Sequence, residues 1–135
     1  MNIILSIKPR FVEKIKEGEK KFEFRKSLPK RKISQILIYS SSPVKKIVGK
    51  FDFEEVLELS PEELWKKCKS GAGIDESEFF KYFEGKEIAY GIKISNLNLY
   101  RRDIDPNEID RNFVAPQSFK YTSINHSYLE NIVAD

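Results

Sequence analysis

Gly18-Glu19-Lys20-Lys21-Phe22-Glu23-Phe24-Arg25 is a helix stop followed at once by a strand. Gly18 takes positive φ without a Cβ penalty, which ends a helix cheaply. From Lys21 the pattern alternates, with Phe22 and Phe24 on one face and Lys21, Glu23 and Arg25 on the other. Two aromatics anchor such a strand in a core. The opposite face then carries a fixed carboxylate beside a guanidinium.

Outward from this stretch, residues 3–8 form an apolar strand. Pro9 suits the first turn of a helix, and Phe11, Val12 and Ile15 give that helix an apolar stripe that ends at Gly18. After the strand that starts at Lys21 comes a basic loop over 27–32, broken by Pro29. Residues 35–42 read as a buried strand that turns polar at its end, with Pro43 marking the turn. Residues 46–59 read as one long strand, bent or bulged at Gly49. Ser60 and Glu63 make a capping box, and Leu64, Trp65 and Cys68 follow on a helix ended by Gly71. Asp75 to Glu78 repeats the capping logic for a second short helix, whose Phe79, Phe80 and Phe83 face a core. Residues 87–96 alternate as a strand. Residues 101–112 read as a polar loop, 116–121 as a late strand or docked loop, and 128–133 as a short helix.

Length and composition bound the function. The 135 residues are enough for one domain with a core, and no linker or repeat interrupts them. At 40% hydrophobic and 33% charged the chain is an ordinary folded one, with no apolar run of membrane length. The first residues lack the basic start of a signal peptide, and a cytoplasmic location is expected. Cys68 and His126 are the only residues of their kinds, which excludes an internal disulfide and a Cys/His metal cluster. Neither sits in a recognisable catalytic context, and Cys68 reads as a small residue on a helix face. No metal or cofactor is expected.

The net charge of +3 is unevenly spread. Residues 8–32 hold eleven Lys and Arg against four Glu, while residues 52–87 hold eleven acids against five bases. One face is thereby suited to an anion and another repels it, unless both are plain solvated surface. Arg25 offers a planar fork suited to phosphate or a base edge. Lys20 is a mobile point charge able to meet a phosphate. Glu23 either reads an exocyclic amine or pairs with Arg25. Lys8 flanks a helix N-terminus. Ser41 and Ser42, after Ser40, supply hydroxyls and amides at a strand end. Tyr121, with Phe119, offers a ring for stacking a base. Lys8, Lys20, Glu23, Arg25, Ser41, Ser42 and Tyr121 are the candidate ligand contacts.

The octapeptide also reads G-x-K-x-x-E-x-R through Gly18, Lys20, Glu23 and Arg25, and so resembles the signature of the ASCH (activating-signal-cointegrator homology) family. The likeness continues through Ser6-Ile7-Lys8-Pro9, Tyr39-Ser40-Ser41-Ser42-Pro43, Ile88-Ala89-Tyr90-Gly91-Ile92 and Pro116-Gln117-Ser118-Phe119. The resemblance implies an α+β, PUA-like mixed β-pseudo-barrel with surrounding helices, forming a single domain over 1–135, with a cleft beside the first helix. It implies a module that binds RNA or a modified nucleotide. The alternative it implies is a small hydrolase, an amidohydrolase on N-acylated cytidine or a ribonuclease, with Lys20 and Glu23 as candidate catalytic residues. In the amidohydrolase members a threonine stands where this chain has Glu23. The family name, from a transcription coactivator, also admits a protein partner and a regulatory role.

Overall fold

The computed structural model describes residues 1–134. Eight strands form two sheets, with four helices placed against them. β1 (Asn2–Ile7) leads into α1 (Pro9–Lys16), then β2 (Phe22–Arg25), β3 (Gln35–Ser40), β4 (Lys46–Asp52) and β5 (Val56–Leu59). α2 (Pro61–Cys68) and α3 (Glu76–Tyr82) follow. β6 (Ala89–Lys93), β7 (Ser95–Ile104), β8 (Phe119–Thr122) and α4 (His126–Val133) complete the order.

The larger sheet runs β7-β4-β3-β1-β8 and the smaller β2-β6-β5. β1 and β3 are parallel, with Ile3 opposite Ile36 and Ile7 opposite Ser40. Parallel neighbours need a crossover, and α1 with β2 supplies it. β2 leaves the larger sheet altogether and pairs antiparallel with β6, Glu23 opposite Ile92 and Arg25 opposite Tyr90. The smaller sheet therefore meets the larger near the C-terminal end of β1.

The apolar residues close three clusters. Ile3, Leu5, Val12, Ile15, Ile36, Phe51 and Ile92 join one face of the larger sheet to α1 and β6. Ile4, Leu37, Tyr39, Ile47 and Ile104 join its other face to Leu129 and Val133 of α4. Phe24, Leu64, Cys68, Phe79, Phe83 and Ala89 join the smaller sheet to α2 and α3. This last cluster fixes the signature strand from below.

The helix boundaries follow local chemistry. Gly18 has φ +80° and α1 ends just before it. Ser60 Oγ accepts from Glu63 N, and Asp75 Oδ1 accepts from Glu78 N, so each starts its helix as a side-chain cap. Two expected elements differ. The strand expected over 46–59 is two strands in different sheets, β4 and β5, parted at 53–55. The loop expected over 101–112 begins as the second half of β7, whose Tyr100 and Ile104 are buried among mostly exposed polar neighbours. β7 is an edge strand with one open face, so its composition is that of a loop while its backbone pairs with β4. The register of β4 slips beside Gly49 against both β3 and β7. The expected domain extends to Asp135, which lies outside the described residues.

Candidate functional site

A cleft of about 480 Å³ opens where the two sheets meet. Its floor is Glu23, Phe24 and Arg25 of β2 with Lys20 just before it. One wall is Ser6, Lys8 and Phe11, from the end of β1 and the start of α1. Ser41, Ser42 and Lys45 of the turn after β3 form another. Glu78 and Tyr82 of α3 and residues 115–117 close the remaining sides. Six of the seven candidate residues read from the sequence, Lys8, Lys20, Glu23, Arg25, Ser41 and Ser42, thus line one cavity.

Alternation brings Glu23 and Arg25 to the cleft face of β2, while Phe24 turns to the aromatic cluster beneath. Glu23 is 5% exposed. Its Oε2 accepts from Arg25 Nε at 3.0 Å and from Arg25 Nη2 at 2.5 Å. Arg25 Nη2 also donates to the Ser6 carbonyl at 2.9 Å and Nη1 to Ser118 Oγ at 3.2 Å. The guanidinium is therefore a fixed tie between the two sheets, which exceeds the ordinary same-face ion pair that the spacing alone suggests.

Lys20 differs from its sequence reading as a mobile charge. It is 4% exposed. Its Nζ donates to the Ala72 carbonyl at 2.9 Å and lies 3.9 Å from Glu23 Oε1. The Phe11 and Phe24 ring centroids are 5.1 and 4.8 Å from that nitrogen, a cation–π setting. Burial lowers the pKa of this ammonium, Glu23 opposes that shift, and Arg25 adds to it. Lys20 is thus a pinned counter-ion under the floor of the cleft.

Gly73 makes this placement possible. It has φ +64°, and a Cβ there would stand 2.5 Å from Lys20 Cβ and 2.8 Å from Lys20 Cγ. Gly73→Ala is expected to destabilise the fold by about 2 kcal/mol, from left-handed strain plus displacement of Lys20. Chemical denaturation reads this directly. A change within experimental error would show that Lys20 is not held as described.

At the mouth, Lys8 and Lys45 make no ion pair among the described residues. Lys45 sits in the turn with φ +56°. The Ser41 amide is already donated to the Ile7 carbonyl, so the turn offers hydroxyls more than a backbone cradle. Glu78 is neutralised by Arg10 through both carboxylate oxygens, and that hydrogen bonding holds its carboxyl below the usual range. Tyr39, Lys45, Tyr82 and Glu78 line the cleft without having been singled out. Tyr39 and Lys45 flank the Ser-Ser-Ser-Pro turn, which was the available signal. Glu78 and Tyr82 lie far along the chain and carried none. Burial raises the pKa of both tyrosine hydroxyls.

Tyr121 does not join this group. It pairs with Ile3, three residues before Ser6, at the opposite end of β1. Its hydroxyl accepts from Arg31 N, Arg31 covers its ring, and the residue packs against the core cluster of Ile3 and Leu5. Strand register decides this, since three residues of extended chain span about 10 Å. Cys68 and His126 do not meet either. Cys68 is sealed in the aromatic cluster, where burial pushes its thiol up to about 11. His126 stacks on Tyr100 across the molecule's other sheet face.

Comparison with known proteins identifies the family. Residues 5–101 match the ASCH domain. The chain is 31% identical over 120 residues to the large ribosomal subunit protein uL22 of Ureaplasma parvum, covering 88% of this chain but only 38% of that protein. It is 31% identical over 121 residues to an ASCH domain-containing ribonuclease of Zymomonas mobilis, covering 87% of this chain and 82% of that one. The crystal structure of ASCH from Zymomonas mobilis superposes with a TM-score of 0.82 at 28% identity, over 98% of this chain and 94% of that one. The N-terminal domain of Staphylothermus marinus McrB shares the fold at 12% identity and a TM-score of 0.58. With an α+β, PUA-like fold and Lys20, Glu23 and Arg25 of the signature built into one cleft, the chain belongs to the ASCH domain family.

Proposed function

We propose that the chain is a single RNA-binding domain that takes one nucleotide of a single strand into this cleft. The observation that carries the reading is the cleft itself. Two lysines without an ion pair among the described residues, Lys8 and Lys45, stand at its mouth, Phe11 and Tyr82 line it, and a fixed carboxylate lies at its floor. Cations at a rim suit phosphates, and rings inside suit an unstacked base. The Zymomonas relative, named a ribonuclease, supports RNA as the ligand class.

Binding of a labelled single-stranded RNA should weaken steeply as salt rises. Lys8→Ala and Lys45→Ala should each reduce the salt slope by about 0.7 if each lysine meets one phosphate. Fluorescence anisotropy over a salt series measures both. Affinity absent at low salt for RNA would remove this reading.

A second reading, cleavage, is favoured by the same relative. Glu23 would act as general base with Lys20 as its partner, and the strand or an acyl group on an exocyclic amine would be the substrate. The 3.9 Å between Lys20 Nζ and Glu23 Oε1 is longer than a direct hydrogen bond. Glu23 also stands where the amidohydrolase pattern has a threonine. Both points favour the binder. Turnover of RNA or of N-acylated cytidine by the wild type, lost in Lys20→Ala and in Glu23→Gln, would reverse that preference.

A further inference from the structure

Among the described residues, one of the four carboxylate oxygens in the cleft receives no hydrogen bond. Both oxygens of Glu78 are held by Arg10. Oε2 of Glu23 takes two hydrogen bonds from Arg25. Oε1 of Glu23 takes none, its nearest cation being Lys20 Nζ at 3.9 Å, which donates elsewhere. Among the described residues every fully enclosed side-chain nitrogen or oxygen has a hydrogen-bond partner. Oε1 is therefore not sealed, and the space it reaches is the cleft that Glu23 lines. A largely dry carboxylate oxygen without a donor is costly unless a ligand supplies one.

The surrounding groups fix what that ligand presents. Arg25 spends its donors on Glu23, Ser6 and Ser118, so it holds the carboxylate plane and has little left for a ligand. Phe11 and Tyr82 offer ring surface in a cavity of about 480 Å³, within the usual size of small-ligand pockets. The cleft therefore asks for a flat group with N–H donors along one edge. Guanine places N1–H and N2–H side by side, with no lone pair between them facing the carboxylate. Cytosine and adenine put a ring-nitrogen lone pair beside their amine. Uracil flanks its single N–H with two carbonyl oxygens.

We propose that Glu23 reads a nucleobase in this cleft through Oε1, and that the base it selects is guanine. The proposal rests on the RNA-binding reading above and names its specificity.

The test compares a short labelled oligouridine with the same strand carrying one central guanosine, by anisotropy at low salt. The guanosine strand should bind roughly tenfold tighter, the scale of a good base-edge contact. Inosine, which lacks the N2 amine, should lose part of that gain, and 1-methylguanosine should lose nearly all of it. These arms use the unaltered protein, so they hold even where a variant fails to fold. Glu23→Gln, checked for folding by thermal melting, should flatten the preference between the two strands.

Equal binding of both strands, or tighter binding of a cytidine or adenosine strand, overturns the guanine assignment and leaves RNA binding standing. A preference that survives in folded Glu23→Gln also overturns it. Binding of guanosine monophosphate without any strand supports the base reading and overturns the RNA one. Binding of neither a strand nor the monophosphate overturns both.

Discussion

Phe79→Ala is expected to cost about 3–5 kcal/mol of stability, the range for removing a buried aromatic. Phe79 is fully buried at the centre of the cluster beneath β2. Its ring stands 5.0 Å from Phe24 in an edge arrangement, 5.0 Å from Phe83, 5.1 Å from Phe80 and 4.9 Å from Trp65. Such geometries add to the burial itself. No neighbour fills the space without abandoning another contact. Because Phe24 lies between Glu23 and Arg25, the loss reaches the floor of the cleft as well as the core. Urea denaturation reads the stability, and RNA affinity reads the floor. A midpoint close to the wild type would mean that the cluster repacks freely, contrary to its observed interlocking.

Arg25→Ala should cost about 3–4 kcal/mol, because it strands a buried carboxylate. Four hydrogen bonds disappear at once, two to Glu23 and one each to Ser6 and Ser118. Lys20 alone then faces Glu23, from 3.9 Å and with its own proton weakened by burial. Arg25→Lys should recover only part of the loss, since an ammonium cannot span Glu23, Ser6 and Ser118 together. Adding Glu23→Gln to Arg25→Ala should restore some stability by removing the unpaired charge. Strict additivity of the two losses would show that the pair is not coupled, and the account of Arg25 as the tie between the sheets would fall with it.

The family motif and the candidate residues were legible because they are short and local. A glycine with positive φ, two side-chain caps and an alternating pair of aromatics each act within a few residues. Their reading carries into the fold at Gly18, Ser60, Asp75 and Phe24. The break between β4 and β5 was not legible, because Phe53, Glu54 and Glu55 carry no turn residue. The strand β7 was hidden for the opposite reason, since an edge strand with an open face needs no apolar alternation.

What the sequence by itself determined is the chemistry of the floor: a lysine just before a strand, and a glutamate and an arginine on it, after a helix ended by a glycine. Only the tertiary structure decided what each of them does. Lys20 is buried because Ala72, Gly73 and Phe11 close over it from distant parts of the chain. Arg25 is spent because β1 and Ser118 arrive beside it. Tyr121 is outside the cleft because β8 pairs with the far end of β1. Burial and register are properties of residues brought together over long separations, and no local pattern records them.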